Sequence, residues 1–447
     1  MLEKASRIVA DTFGVTLAGS TMSWSSAVYR VALGLGGNPQ ATICPNGTRT
    51  SAPMAAFVNG SYAHANDFDE YYAYGPLHPG AGVWAVLPVA EWIGASGRDA
   101  LEAIVLYYDI CTRLAEALFH APSGERAVGT RGFQAQALCG VFAAAASTAF
   151  LCGMNAQMTT CAFGIAGSYP GGLLEFLSDA SDTKRFHFGK ASAQGIVSAL
   201  LARESFSGPA TVFEGSKGFF HAYGGDYAPE KVLEGLGTRF DIEASVLKRW
   251  PVMGGNTSAI EALLELMQKE LLHWSEIASV TVEIRSHFMP YSAGWNGDLS
   301  DRRRPANRFS AEMSLPYQLG VAAVRGAITF EDFDEARLCD REVLAFAERV
   351  EVRASAQLDA VSRLEAFTPN HLQIRTHKGK SFEMRRDHPL GDPRRPMTDG
   401  QIYDKFIDCA SRAVARPQAE QVWDLSLRLA ELPDVRALLA AATIPAA

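Results

Sequence analysis

The chain has little with which to build a disulfide frame or a zinc site: seven cysteines in 447 residues, scattered, with no CxxC pair. That excludes a stapled secreted scaffold and leaves free thiols suited to a reducing, cytoplasmic compartment. No long basic run occurs, and 41 basic against 49 acidic residues leave a net charge of −8. A sequence-independent grip on nucleic acid needs a concentrated basic surface, so nucleic acid is not an expected partner. The N-terminus, MLEKASRIVADTFGV, has an amphipathic helical pattern and lacks a signal-peptide core. Nucleotide and hydrolase signatures are missing as well. No GxGxxG follows a strand, no GxxxxGK precedes Ser or Thr, and no GxSxG elbow is found. Charge and histidine are absent from one long stretch, between Arg131 and Glu175. A membrane span needs about 20 strongly apolar residues. This stretch is Ala, Gly, Ser and Thr, interrupted by Gln134, Gln136, Asn155 and Gln157. Tightly packed buried helices are therefore expected, and no membrane partner.

The composition, 48% hydrophobic and 20% charged, is that of a globular protein. Its length suggests two domains. Residues 1 to about 245 keep helical spacing, with runs at 2–13, 83–93, 100–119, 138–151 and 191–201 separated by Gly or Pro. The period changes after Lys248. Val280, Val282 and Ile284 alternate with polar residues, as do Val350 and Val352. Leu372, Ile374 and Thr376 lead through Lys378-Gly379-Lys380 into Phe382 and Met384, which reads as a hairpin. Helices are expected at 309–327 and 340–349, and again from 398 to 442. The fold class is thus mainly α with an α+β part. Residues 1–247 and 396–447 form an all-helical domain, and 248–395 an inserted α+β lid.

Four segments carry candidate chemistry. FVNGSYAHANDFDEYYAYGPLHPGAG (57–82) holds a turn at Asn59-Gly60, then His64, Asp67, Asp69 and Glu70, and His78-Pro79-Gly80 at the start of a helix. A helix N-terminus favours an anion, and a histidine beside it can serve as acid or base near neutral pH. His64 and Asp67 could share a helix face, but the usual two-His-plus-carboxylate set is incomplete, and no metal is expected. GTRGFQAQALCGVFAAAAS (129–147) offers Arg131, whose guanidinium can fork onto a carboxylate. SDTKRFHFGKASAQG (181–195) gathers Lys184, Arg185, His187 and Lys190 before a helix, where cations oppose the dipole unless an anion sits among them. SVLKRWPVMGGNTSA (245–259) places Lys248 and Arg249 at the presumed domain junction, a common place for a ligand cleft. Cationic side chains in three of four segments of an acidic protein point to a small substrate with several carboxylates.

These segments, in this order, resemble the MmgE/PrpD family over nearly the whole chain. VADTFGVTLAGS is similar to its opening helix, FVNGSYAHANDFDE to its NG-x(3)-H-x(2)-DFDD signature, and LHPGAGVWAVLPVAEW to its His-Pro segment. TKRFHFGKASAQG and LKRWPVMGG follow in family order. The resemblance implies a large helical domain with a smaller α+β lid, a homodimer, no cofactor, and an enzyme of the lyase or isomerase kind acting on a di- or tricarboxylate. It also implies that Asp67, His78, Lys184 and Lys248 are catalytic. Lys184 and Lys248 would hold carboxylates and stabilise developing negative charge. His78 would carry the proton, and Asp67 would orient it or act as a second base. Tyr71, Arg131, Gln134, His187 and Arg249 are expected to bind substrate.

Three departures from the pattern bear on the reaction. Gln134 stands where the family has His, and Met253-Gly254-Gly255 replaces a second family His. Tyr71 follows a signature whose last Asp is Glu70, and the loop before His78 is one residue longer. A glutamine hydrogen-bonds but carries no proton at neutral pH. Dehydration is the first expectation. Epimerisation or isomerisation is the alternative, since moving a proton between faces needs no acid for a leaving group. Decarboxylation of a related acid and a catalytically silent carboxylate-binding paralogue complete the set.

Overall fold

The computed structural model describes residues 1–119, 131–224, 226–294 and 299–444. Gly129, the first residue of the 129–147 segment, lies outside them. Helices form most of the first half, and several are buried nearly all round. In the Leu2–Ser20 helix Ala5, Ile8, Val9 and Phe13 are fully buried. The C-terminal helices Asp399–Ala410 and Arg416–Leu427 pack against that helix, so Phe406 and Val422 share a core with Ile8 and Phe13. Lys405 seals the contact, its Nζ lying 2.6 Å from Asp11 and donating to the Phe68 carbonyl oxygen.

The uncharged stretch forms two helices, Ala135–Leu151 and Ala156–Ala166. No helix among the described residues is long and apolar enough to cross a membrane. Small residues permit the packing. The Thr183–Arg203 helix crosses both Ala52–Ala63 and Ala135–Leu151. A Cβ at Gly189 would lie 2.0 Å from the Phe57 carbonyl oxygen, and one at Gly60 2.9 Å from the Gly189 Cα. Backbone thus meets backbone at that crossing. Gly189→Ala is expected to cost about 1–3 kcal/mol through overpacking and to shift Lys184 one turn away; a melt identical to wild type would contradict that packing.

Three local expectations give way in this region. Asn59-Gly60 is not a turn but lies inside the Ala52–Ala63 helix. Gly60 supplies room for Gly189, while the Asn59 side chain accepts from the Cys44 N–H and donates to the Thr42 carbonyl. That helix ends at His64, so His64 and Asp67 share no helical face. Lys184, Arg185, His187 and Lys190 sit not in a loop but in the first two turns of the Thr183–Arg203 helix, which starts eight residues before the expected 191.

The second half holds a four-stranded sheet in the order Val350–Ala354, Ile277–Ile284, Asn370–Thr376, Ser381–Arg386. The first pair is parallel and the others antiparallel, with Val280 opposite Val350 and Ile374. Alternation puts Val280, Val282, Leu372 and Ile374 on one buried face, where they meet the Thr257–Lys269 and Leu315–Arg325 helices. The expected 309–327 helix is broken at Ser314, whose hydroxyl caps the second piece by accepting from the Tyr317 N–H. Pro316 fits the start of that piece, because its missing N–H is not needed there.

Candidate active site

A two-residue antiparallel pair, Tyr71–Tyr72 against Ser245–Val246, fastens the 64–78 loop beside the segment that carries Lys248. The pairing explains how residues 181 positions apart meet. Lys248 Nζ donates to both the Asp67 carboxylate (2.8 Å) and the Asp67 carbonyl oxygen (2.7 Å). Asp67 has a positive φ of 49°, a left-handed conformation costing a non-glycine residue roughly 1–2 kcal/mol. The double contact from Lys248 holds it there. Lys184 Nζ approaches the same carboxylate oxygen at 3.3 Å. Burial alone would raise the Asp67 pKa, but the two ammonium groups prevail and hold it well below the carboxylate range. Burial also lowers the pKa of Lys184, an effect that Asp67 opposes. Asp67 answers the dipole problem at the start of the Thr183–Arg203 helix: the anion among the cations belongs to the protein itself.

Asp67, expected to orient His78, is therefore engaged with lysines. The carboxylate facing His78 is that of Asp69, 3.2 Å from Nδ1. Asp69 also bonds Nδ1 of the fully buried His64 at 2.9 Å. Burial opposes ionisation of Asp69, yet the two imidazoles keep its pKa well below the usual range. Burial pushes His64 down to about 3, so its ring is neutral and donates to Asp69. His64 stacks on Phe188 with ring centroids 3.7 Å apart and meets His78 edge-on at 5.1 Å. An ionised Asp69 can only accept. It thus favours the His78 tautomer with hydrogen on Nδ1 and leaves Nε2 bare, in the manner of a histidine–carboxylate pair. His78 caps the Pro79–Ala81 turn, its own N–H donating to Gln136.

Behind this turn lies Glu70, which accepts from the Gly80 N–H. Burial pushes its carboxyl up to about 8, from 4.5. The folded chain therefore keeps a proton on Glu70 that the unfolded chain gives up. The stability this supplies is complete below about pH 4.5 and is lost as pH rises through about 8. Glu70→Gln, neutral at every pH, should flatten the decline of melting temperature between about pH 4.5 and 8. An equally steep decline in the variant would place an ionised Glu70 in the fold.

The loop opens onto a cavity of about 470 Å³. Asp67, Tyr71, His78, Gln134 and Lys184 all line it. Lys248 lies beneath, fully buried on Asp67. His187 is reached through Gln134: its Nδ1 lies 2.5 Å from the amide oxygen. Burial, then Lys190 and Lys184, draw His187 down to about 4, so the neutral ring donates to Gln134. The Gln134 amide nitrogen is left to donate to a ligand. Arg131 and Arg249 do not reach the cavity. Arg131 is exposed and donates to the Tyr223 carbonyl, and Arg249 is exposed against the Trp250 ring. Two polar residues from the sheet-bearing half join the cavity without having been anticipated, His287 and Arg363. Arg363 donates to Glu116 (2.9 Å) and to the Tyr74 carbonyl (3.1 Å), linking the two halves across the cleft.

Among the described residues, His64, Asp67, Asp69 and His78 offer donor atoms within 4.8 Å of one another. Their lone pairs are largely committed: Asp67 to two ammonium ions and Asp69 to two imidazoles. A divalent ion here would have to sit beside Lys184 and Lys248, which disfavours it electrostatically.

Residues 1–231 match the MmgE/PrpD N-terminal domain, and residues 250–431 match the MmgE/PrpD C-terminal domain. Curated relatives align along 98% of the chain. They include the cis-aconitate decarboxylase-like protein oryM of Aspergillus oryzae, 25% identical over 92% of its length. Cis-aconitate decarboxylase of Aspergillus terreus is 24% identical over 91% of its length, and that of Homo sapiens 23% over 89%. With both domains matched in order along nearly its full length, the chain belongs to the MmgE/PrpD family.

Proposed function

We propose that the protein is a lyase that acts on the carbon next to a carboxylate of a small di- or tricarboxylic acid. The observation that carries this reading is His78: its Nδ1 faces Asp69, and its ring lines a cavity shared with Lys184. Lys184 is offered to a substrate carboxylate, and Gln134 donates a further hydrogen bond. Lys248 acts from beneath by fixing Asp67, and so Lys184. As charge develops on the substrate carbon, these fixed donors stabilise it without reorganising. Asp67, held ionised by the lysines, is unsuited to be a second base and serves as their anchor.

Between loss of water and loss of carbon dioxide, two considerations support the second. The relatives bear the name cis-aconitate decarboxylase. Decarboxylation also asks for one proton carrier, where dehydration needs a base for carbon and an acid for the leaving hydroxyl. The carbon–carbon bond breaks, and its electron pair enters the conjugated system of the remaining acid. Nε2 of His78, bare at rest, takes a proton from solvent and passes it to carbon. The 248–395 part would act as a lid, with Arg363 and His287 brought onto the substrate. The same reading has the protein work in the cytoplasm as a homodimer.

The test is a proton NMR screen of 2-methylcitrate, citrate, cis-aconitate and iminodisuccinate. A vinyl product signals a lyase, and exchange in heavy water without net conversion an epimerase. No change in any acid would leave a silent binding protein. Turnover is expected to survive EDTA and thiol reductants, because the donor set around His78 is engaged internally and the seven cysteines are unpaired. Loss of activity in EDTA with recovery on adding a divalent ion would overturn that.

A further inference from the structure

Asp67, His78 and Lys184 stand together on one part of the cavity wall. Elsewhere the lining is mostly apolar, with Phe119, Leu174, Phe176, Phe288, Met313 and Phe367; His287 lies against Phe288 and Phe367, and Arg363, paired with Glu116, lies over Phe119. Leu174, Phe176 and Met313 belong to the buried apolar core of the second half, so this wall is a continuation of that core. A bare tricarboxylate presents charge on every side. Pressed against such a wall, a carboxylate would lose its water and gain no hydrogen bond in return, which is costly.

The cations around the cavity point the same way. Lys184 and Lys248 share Asp67, and Arg363 is bonded to Glu116. Among the described residues, each of these cations already faces a carboxylate of the protein. The polar end therefore suits a small acidic head more than a ligand charged throughout. The volume of about 470 Å³ falls within the range of sites that enclose drug-sized, largely apolar ligands, about 300–1,000 Å³.

We infer that the substrate is an acid of the proposed class bearing an apolar substituent, an alkyl chain of several carbons or an aryl group, with its carboxylates at His78, Lys184 and Gln134 and its substituent against the Phe119–Phe176–Phe288–Phe367 wall. The inference rests on the proposed function for the position of the head. It adds what the rest of the molecule must be. Burial of the substituent would contribute affinity that the acidic head does not, because apolar surface leaves water on both sides of the contact.

Binding of succinate and of its methyl, propyl, butyl and hexyl derivatives, measured by calorimetry on the wild-type protein, tests this without requiring turnover. Affinity is expected to rise about threefold to fourfold for each added methylene until the wall is covered. Leu174→Trp, which fills part of the apolar end, should remove most of the gain for hexylsuccinate and leave less change for succinate. That contrast separates the cavity from unspecific apolar binding, and thermal melts check the fold. Affinity flat or falling with chain length overturns the inference, as does an equal gain in Leu174→Trp. If the short acids of the NMR screen are turned over while longer chains bind worse, the lyase reading stands and the substituent falls. If chain length raises affinity while no acid is turned over, the substituent stands and the lyase reading falls.

Discussion

Turnover of His78→Ala should fall at least about 100-fold on the acid that the wild type converts best, because a positioned acid–base group contributes about 10²–10⁴. The loss should appear in kcat, with KM changing little, since Lys184 and Gln134 still hold the acid. Folding should be preserved, as the ring is partly exposed to the cavity and Asp69, which faces it, keeps its bond to His64. Asp69→Asn should lower kcat as well, because an amide no longer fixes the tautomer that leaves Nε2 bare. Steady-state kinetics with parallel melts decide the matter, and unchanged turnover in His78→Ala would remove the proton carrier from the mechanism.

The second large effect is on stability. Lys248 and Asp67 form a fully buried ion pair, and removing one partner strands the other. Lys248→Met is expected to destabilise the protein by about 3–5 kcal/mol, the range for an uncompensated buried charge. Lys184 softens the loss but sits farther away, at 3.3 Å against 2.8 Å. Asp67→Asn combined with Lys248→Met should recover part of it, because the buried carboxylate is then gone, although Lys184 loses its partner as well. Chemical denaturation of the single and double variants measures this. Equal stability of wild type and Lys248→Met would mean that the pair holds nothing together.

Much of this arrangement is written locally. The helical period of the first half, the alternation at 280–284 and 372–376, and the small residues of 131–175 each follow from near neighbours, and the elements form where those patterns stand. Asn59-Gly60 shows where local reading ends. Its turn chemistry is overridden by a contact with Gly189, 129 positions away in the chain, that no nearby residue announces. Asp67 and Asp69 are a sharper instance. Both lie in one loop, and composition alone cannot tell which carboxylate meets the lysines and which the histidines. The left-handed backbone at Asp67 decides it. The signal that was there is His64, five residues before Asp69 and spare in the chemistry assigned to the segment. Arg363 had no local signal. It sits in an irregular stretch before the Asn370–Thr376 strand and reaches the cavity only because the two halves fold against each other. Arg131 and Arg249 illustrate the reverse error: a cation beside a motif need not turn toward it.

The central claim is that His78 moves a proton at carbon beside a substrate carboxylate. The most direct measurement follows cis-aconitate, or whichever acid the screen selects, in heavy water by proton and carbon NMR, with wild type and His78→Ala side by side. The account predicts that wild type releases carbon dioxide and leaves a solvent deuteron on a carbon beside a remaining carboxylate, or, if water is lost instead, exchanges deuterium into the substrate at the carbon that gives up its proton, while His78→Ala does so at least about 100-fold more slowly. Deuterium entering that position equally fast in both proteins, or entering no acid in either, would contradict it.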